Sequence, residues 1–317
     1  MLRDVRPGGL LSMTQTTNST MIYSQLTRNR IATVILIIAF TCFIVGAAVV
    51  FSAARTGDPF TFAIPSILFA AFYILISFLF SKNAVLAMSH AKKVEHKDNP
   101  DLYNLLENLA ISRGLPTPTL YIIEDTAPNA FATGTTKKGA AVAVTTGILQ
   151  KLSKQELEGV LAHELAHIQH EDTRLMTLVV IMVGVITLLA DIFLRSMYFS
   201  GNRKSEGKGN GILLIIGIVL AILSPFIAQL IKLAISRKRE FYADAESALT
   251  TRYPEGLASA LEKIASDHEP LEAANRATAH LYISNPLKDR KKSKWNNMFS
   301  THPDTNERVG RLRGMMT

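Results

Sequence analysis

One five-residue segment combines two histidines and a glutamate at a spacing that suits metal chemistry. Residues 163–167 read His-Glu-Leu-Ala-His. On a helix, residues four apart share one face, so His163 and His167 can bind a single Zn²⁺ while Glu164 stands beside the metal. A chance match is expected roughly once in a hundred chains of this composition. The segment therefore predicts a catalytic zinc site in which Glu164 takes a proton from bound water.

A catalytic zinc also needs a third protein ligand and an open fourth position. Metzincins carry Gly and His three and six residues after the second histidine, but this chain has His170 and Thr173 there, which excludes that class. His170 is interpreted as a surface residue. Glu240 is the preferred third ligand, and Asp244, four residues later, would accept the N–H of a ligating histidine. A solvated acidic face paired with neighbouring basic residues is the alternative.

Two other segments are candidates for contact with a substrate. Residues 129–134 fit an exposed edge strand that could pair with an extended peptide, although a buried hairpin strand fits the pattern equally well. The residues of this candidate strand are Asn129, Ala130, Phe131, Ala132, Thr133 and Gly134. His302 is a candidate donor to the oxyanion of a tetrahedral intermediate, with helix capping or packing as an equal alternative.

The composition points to a membrane protein. Of 317 residues, 48% are apolar and only 19% are charged, and the mean hydropathy is +0.20, which excludes an intrinsically disordered chain. Residues 31–54 and 60–80 contain no charged residue, and each run exceeds the ~20 residues that cross the ~30 Å hydrocarbon core as a helix. The short connection between the runs predicts an antiparallel transmembrane hairpin. A cleaved signal peptide is the alternative, but its apolar core would be shorter, at about 7–15 residues.

The flanking charges predict the orientation of this hairpin. Arg28 and Arg30 precede the first run, and Lys82, Lys92 and Lys93 follow the second. Because cytoplasmic loops carry an excess of basic residues, both ends of the hairpin are expected in the cytoplasm.

Two later apolar runs, 175–194 and 211–231, either span the bilayer or form a hairpin packed partly on protein. In both cases the chain returns to the side it left, so the polar segments before and after these runs share the cytoplasmic face. The lone Cys42 lies inside an apolar run, which excludes a disulfide framework within one chain.

The polar segments combine helices with a few short strands. Apolar residues recur at helical spacing around residues 102–110, and β-branched runs at 119–123 and 140–145 indicate strands. A second helix begins near Ser153, which stands three residues before Glu156 in a capping-box arrangement. The expected fold class is α+β, mainly helical, with a small β-sheet and two to four transmembrane helices.

Four ordered motifs, with a hydrophobic pair between the second and third, carry a resemblance to a known family. They lie at 129–134 (Asn-Ala-Phe-Ala-Thr-Gly), 162–168 (Ala-His-Glu-Leu-Ala-His-Ile), 239–244 (Arg-Glu-Phe-Tyr-Ala-Asp) and 300–303 (Ser-Thr-His-Pro). With these motifs the chain resembles the HtpX-type integral-membrane zinc metalloproteases of peptidase family M48. The resemblance implies a gluzincin-type metalloprotease domain with Glu164 as a catalytic residue and one Zn²⁺ per chain. The implied zinc ligands are His163, His167 and Glu240.

The same resemblance implies a multi-pass protein of the bacterial inner (plasma) membrane, with its protease domain facing the cytoplasm. Its implied role is quality control of misfolded or damaged membrane proteins. The predicted organisation is 1–30 as a cytoplasmic segment, 31–80 as the transmembrane hairpin, 81–174 and 232–317 as the two parts of the protease domain, and 175–231 as two further hydrophobic segments.

The expected partners are polypeptide substrates, chiefly membrane proteins, the lipid bilayer, and further copies of the chain in a homo-oligomer. No nucleic acid is expected, because the basic stretch 288–294 fits a juxtamembrane face. Two alternatives to the main interpretation are a membrane scaffold or chaperone with a non-catalytic metal site, and a Ste24-like protease that processes prenylated peptides.

Overall fold

The computed structural model describes the backbone of residues 8–200, 236–274, 278–286 and 303–316. Three features singled out in the sequence lie outside these residues. They are His302, the apolar run 211–231 and the basic stretch 288–294.

Two long helices form the predicted hairpin at the start of the chain. They are α1 (Gly8–Thr56) and α2 (Ala63–Met88). Within them, the apolar stretches Gln25–Val49 and Ala63–Met88 have mean hydropathies of 2.7 and 2.3 and are mostly unburied, so by length and composition both could cross a membrane. The first stretch begins before the charge-free run, since nothing in residues 25–30 breaks a helix.

The third apolar run belongs to a single helix, α6 (Asp172–Ser200). Its first half packs against α1 and α2 through a cluster that includes Leu36, Phe40, Ala70, Leu178 and Met182. The Tyr73 hydroxyl donates to the Ile181 C=O at 2.9 Å, which adds a polar contact between α2 and α6. Helix α6 therefore continues from the polar domain directly onto the membrane hairpin.

A small mixed sheet forms one side of the polar domain. Its strands are β1 (Lys92–Lys93), β2 (Thr119–Ile123), β3 (Ala130–Thr133) and β4 (Ala141–Thr145). The order is β1-β2-β4-β3, with β2 parallel to β4 and both outer strands antiparallel to their neighbours. The predicted strands at 119–123 and 140–145 are confirmed, and β3 lies at the edge of the sheet.

The remaining helices complete the polar domain, and α5 lies at its centre. They are α3 (Pro100–Ser112), α4 (Thr146–Lys151), α5 (Lys154–Gln169), α7 (Arg237–Thr251), α8 (Pro254–Ser266) and α9 (Thr305–Arg313), with a 3₁₀ turn at Ala279–Leu281. Helix α5 contacts α3, α6, α7, α8 and β3. Its core-facing residues Leu161 and Leu165 join Leu120, Val142 and Leu261 in the main hydrophobic core.

Two local features fix the start and the depth of α5. The predicted capping box is present, since the Ser153 hydroxyl accepts the Glu156 N–H while the Glu156 carboxylate accepts the Ser153 N–H. At Gly159, a Cβ atom would lie 2.7 Å from the Leu257 backbone nitrogen, so only glycine lets α5 approach α8 this closely. The capping box and the close contact hold α5 in the middle of the domain.

Candidate metal centre and active site

The two histidines of the sequence motif lie side by side on the buried face of α5. Their Nε2 atoms are 3.2 Å apart, and the rings meet edge to face. His163, Glu164 and His167 are all buried. The helical spacing therefore produces the convergent arrangement that the sequence predicts.

Glu240 reaches the same point from the first turn of α7. Its Oε2 lies 3.8 Å from His163 Nε2, and its Oε1 lies 3.5 Å from His167 Nε2. One ligand atom from each of the three residues falls within 4.8 Å of the others. The structure thus brings together all three residues that the sequence singles out as zinc ligands.

The donor set and spacing fit a tetrahedral zinc ion. Zinc binds histidine nitrogen at about 2.0–2.1 Å, so two such nitrogens around one tetrahedral ion lie about 3.3 Å apart. The measured separation of the His163 and His167 Nε2 atoms is 3.2 Å. Two imidazoles and one carboxylate are also the ligands of one class of catalytic zinc site, which leaves a fourth position open.

Each histidine directs its other ring nitrogen to a carboxylate. His163 Nδ1 lies 3.0 Å from Asp244 Oδ1, and His167 Nδ1 lies 2.9 Å from Asp172 Oδ2. Metal-bound histidines usually have such a partner, which fixes the tautomer and the orientation of the ring. Asp244 stands where the sequence places it. The sequence gives no sign that Asp172 would contact His167. Asp172 lies five positions after His167 and beyond the end of α5, so helical periodicity does not bring the two side chains together.

Arg308 is a second residue that the sequence analysis missed. It is fully buried in α9, and its guanidinium makes two hydrogen bonds with Asp244, at 2.9 and 2.6 Å, and one with the Ile283 C=O. Its Nη1 also lies 3.7 Å from Glu240 Oε2. The sequence gives little indication of this role. Arg308 stands in a short polar segment, where an arginine is expected at the surface.

Burial and neighbouring charges shift the pKa values of the groups around the centre. Burial lowers the pKa of His163 to about 4, against the influence of Asp244, so this imidazole is neutral at pH 7. Burial also acts to lower the pKa of His167, but the hydrogen bond with Asp172 and the charge of Glu240 raise it to about 9. Arg308 and His163 hold the pKa of Asp244 below its usual value despite burial, so Asp244 stays ionised.

Glu164 lies beside this cluster and faces the edge strand β3. The side chain is buried, and α5 packs directly against β3. Burial and the neighbouring Glu240 raise the pKa of Glu164 to about 7, against the opposing charges of His167 and Arg308. A carboxyl group with a pKa near neutrality can both accept and donate a proton at physiological pH.

The candidate substrate strand lies at the sheet edge, but its residues are buried rather than exposed. Away from β4, Ala130 C=O accepts the Ile283 N–H at 2.9 Å, and the Gly134 N–H donates to Thr177 Oγ1 at 3.1 Å. These contacts engage the segment 129–134 at two positions. The expected exposure is therefore corrected, because segments distant in sequence cover the strand.

His170 also differs from expectation. It was interpreted as a surface residue, but it is buried at the end of α5, where its Nε2 lies 2.8 Å from Glu246 Oε1. The polar run around it gives no sign of this, because the covering residues come from α1 and α7. Its Nε2 is directed at Glu246 rather than at the metal centre.

Comparison with known proteins gives a consistent result. Residues 96–316 match the family described as Peptidase family M48. The chain is 45% identical over 284 residues to "Protease HtpX homolog" of Dictyoglomus turgidum, covering 89% of this chain and 90% of the relative. It is 41% identical to the protein of the same name from Tropheryma whipplei, covering 93% and 99%. The crystal structure of S. mikatae Ste24p aligns with a TM-score of 0.47 at 20% identity, covering 85% of this chain and 61% of that one.

The convergent His-His-Glu cluster, the two apolar helices and the two relatives named as HtpX homologues define a membrane metalloprotease. More particularly, the chain belongs to peptidase family M48.

Proposed function

We propose that this protein is a zinc-dependent endopeptidase in which His163, His167 and Glu240 bind the metal and Glu164 is the general base. The observation that carries the proposal is the convergence of two Nε2 atoms and a carboxylate, with the other nitrogen of each ring directed at Asp244 or Asp172. This pattern of ligands and supporting carboxylates is typical of catalytic zinc sites.

His163, His167 and Glu240 would hold the zinc ion, which would supply a Lewis acid and lower the pKa of a bound water to about 7. Glu164 accepts a proton from the attacking water and later donates it to the nitrogen of the leaving amine. The pKa of Glu164, about 7, suits both transfers. Arg308 adds positive charge on the side of Glu240. His302 remains the proposed second donor to the oxyanion.

The substrate is proposed to be an extended polypeptide that pairs with β3. Main-chain pairing along an edge strand gives affinity with little dependence on side chains. In the structure, Ile283 already bonds to β3, and Thr177 bonds to Gly134 directly after it. Pairing would therefore replace some of these bonds, which means that the strand must be uncovered before a peptide can bind.

The membrane hairpin and the charge distribution support a location in the bacterial inner membrane with the protease domain in the cytoplasm. Arg28 and Arg30 lie at the start of the first candidate span, and Lys92 and Lys93 follow the second. The proposed substrates are misfolded or damaged membrane proteins, because the centre is attached to two apolar helices. Association into a homo-oligomer is proposed as well.

The test is proteolysis by the full-length protein in detergent, with casein as the substrate. The protein is purified with a chelator, loaded with stoichiometric Zn²⁺ and compared with Glu164→Gln. We expect cleavage by the zinc-loaded wild type and none by the variant, although both bind zinc. Equal zinc binding without cleavage by either protein would contradict the proposal and favour the scaffold alternative.

A further inference from the structure

A polar side chain from the membrane hairpin is buried next to the metal centre. Asn29 belongs to α1, near the start of the first candidate span, and only 3% of its surface is exposed. Its Nδ2 donates to the His170 C=O at 2.9 Å and to Asp172 Oδ1 at 2.5 Å. Its Oδ1 accepts from Arg239 Nη1 at 2.9 Å. Both donors and the acceptor of this amide therefore have partners within the protein.

The three partners of Asn29 belong to the two helices that carry the proposed ligands and to α6, which carries the carboxylate beside His167. The His170 C=O ends α5, which bears His163 and His167. Asp172 opens α6, and its second oxygen, Oδ2, holds the Nδ1 of His167 at 2.9 Å. Arg239 directly precedes Glu240 in α7 and lies 3.7 Å from Asp172 Oδ1. One amide thus connects α5, α6 and α7 at the point where they meet.

The geometry points to Asn29 as a positioning residue for the metal centre, so that the membrane helix α1 helps to form the site rather than only attaching it to the bilayer. Asn29 fixes the Asp172 carboxylate, and Asp172 fixes the ring of His167. This inference rests on the proposed function, because it assumes that His167 is a metal ligand.

The physical basis is the cost of a misplaced buried carboxylate. A buried hydrogen-bonded network is rigid when every member is satisfied, and loss of one member leaves charged or polar groups unpaired. Without the Asn29 amide, Asp172 Oδ1 loses this hydrogen bond, and Arg239, whose Nε lies 3.7 Å away, can draw the carboxylate toward itself. His167 would then lose the partner that orients its ring, and loss of such partners typically lowers metal affinity about 10–100-fold.

The experiment measures zinc affinity of the full-length protein in detergent by competition with a chromogenic chelator, and records the visible spectrum of the Co²⁺-loaded protein. The variants are Asn29→Ala and Asn29→Asp. The aspartate has the same shape and keeps an acceptor for Arg239, but it places an acceptor against Asp172. Thr41→Val is the matched control, because the Thr41 hydroxyl bonds to the Ile37 C=O of its own helix. His167→Ala reports on the proposed ligand itself.

We expect both Asn29 variants to bind zinc about 10-fold more weakly or worse, with an altered Co²⁺ spectrum, while Thr41→Val matches the wild type. If Asn29→Ala is too unstable to purify, Asn29→Asp decides. Wild-type affinity and spectrum in the Asn29 variants, with loss of zinc in His167→Ala, would overturn this inference and leave the proposed function intact. Wild-type zinc affinity in His167→Ala would overturn both.

Discussion

The guanidinium of Arg308 and the carboxylate of Asp244 form a buried pair joined by two hydrogen bonds, at 2.9 and 2.6 Å. Asp244 also faces His163 Nδ1 at 3.0 Å. The C-terminal helix α9 is therefore connected to the proposed metal ligands through one carboxylate. Both side chains are buried, so each charge needs the other to offset the free-energy cost of its removal from water.

Replacing Arg308 with methionine is expected to destabilise the protein and to weaken metal binding. Removing one partner of a buried ion pair costs about 3–5 kcal/mol, because the other charge is left uncompensated. Thermal unfolding and zinc competition would measure the two effects. Arg313→Gln is the control, since Arg313 lies in the same helix but pairs with Glu255 and Glu262 at the surface, where such pairs contribute about 1 kcal/mol or less. Equal losses in the two variants would refute the special role of Arg308.

Asp172→Ala is expected to lower zinc affinity about 10–100-fold, because His167 loses the carboxylate that orients its ring. The adjacent Glu171 provides a control. It is also buried but pairs with Arg30 and Arg174 rather than with a histidine, so Glu171→Gln should retain wild-type affinity. Competition titration with a chelator distinguishes the two, and unchanged affinity in Asp172→Ala would count against the proposed support of His167.

The capping box of α5 predicts a pH-dependent contribution to stability. Burial acts to raise the pKa of Glu156, but hydrogen bonds from Lys263 and from Ser153 lower it below its usual value. A carboxylate whose pKa is lower in the folded state stabilises the fold above its unfolded pKa of about 4.3, and this contribution is lost as the pH falls through the folded pKa. Glutamine can still accept the Ser153 N–H, so Glu156→Gln removes mainly the charge paired with Lys263 and should cost up to about 1 kcal/mol at pH 7.

The measurement is the difference in thermal unfolding temperature between wild type and Glu156→Gln at several pH values. It should be present at pH 7 and shrink as the pH falls below about 4. A difference that grows on acidification would show that the sign of this linkage is wrong.

Two glycines, Gly159 in α5 and Gly310 in α9, should respond in opposite ways to replacement by alanine. In Gly159→Ala the new methyl group would meet backbone atoms of Leu257 at 2.7 and 3.0 Å, so α5 and α8 must separate, at a cost of about 1–3 kcal/mol. Gly310 is exposed in α9, and its Cβ position has open space around it. Gly310→Ala should stabilise the protein by up to about 1 kcal/mol, through better helix propensity. Unfolding in denaturant would compare them, and a neutral Gly159→Ala would contradict the close packing.

The sequence predicts those parts of the centre that depend on local spacing. His163, Glu164 and His167 follow from the period of one helix, and Asp244 follows from Glu240 in the same way. The strands β2 and β4 and the membrane hairpin follow from hydrophobic patterns of the right length.

What the sequence does not predict depends on contacts between distant segments. Asp172 and Arg308 look like ordinary charged residues until α6 and α9 place them against the histidines and Asp244. Burial of β3 depends on Ile283, far along the chain, and burial of His170 depends on Glu246 and the membrane helix. Asn29 lies in an apolar helix whose pattern gives no indication that its amide faces a metal centre.

The binding of one zinc ion by His163, His167 and Glu240 can be measured directly. The most direct test is zinc content together with X-ray absorption at the zinc edge, on full-length protein loaded with stoichiometric Zn²⁺ and desalted. We expect one zinc per chain, surrounded by two imidazoles and a carboxylate. Glu240→Ala should lose this zinc, whereas the control Glu124→Ala, which changes an exposed side chain, should keep it. A full complement of zinc with an unchanged spectrum in Glu240→Ala would contradict the proposed site.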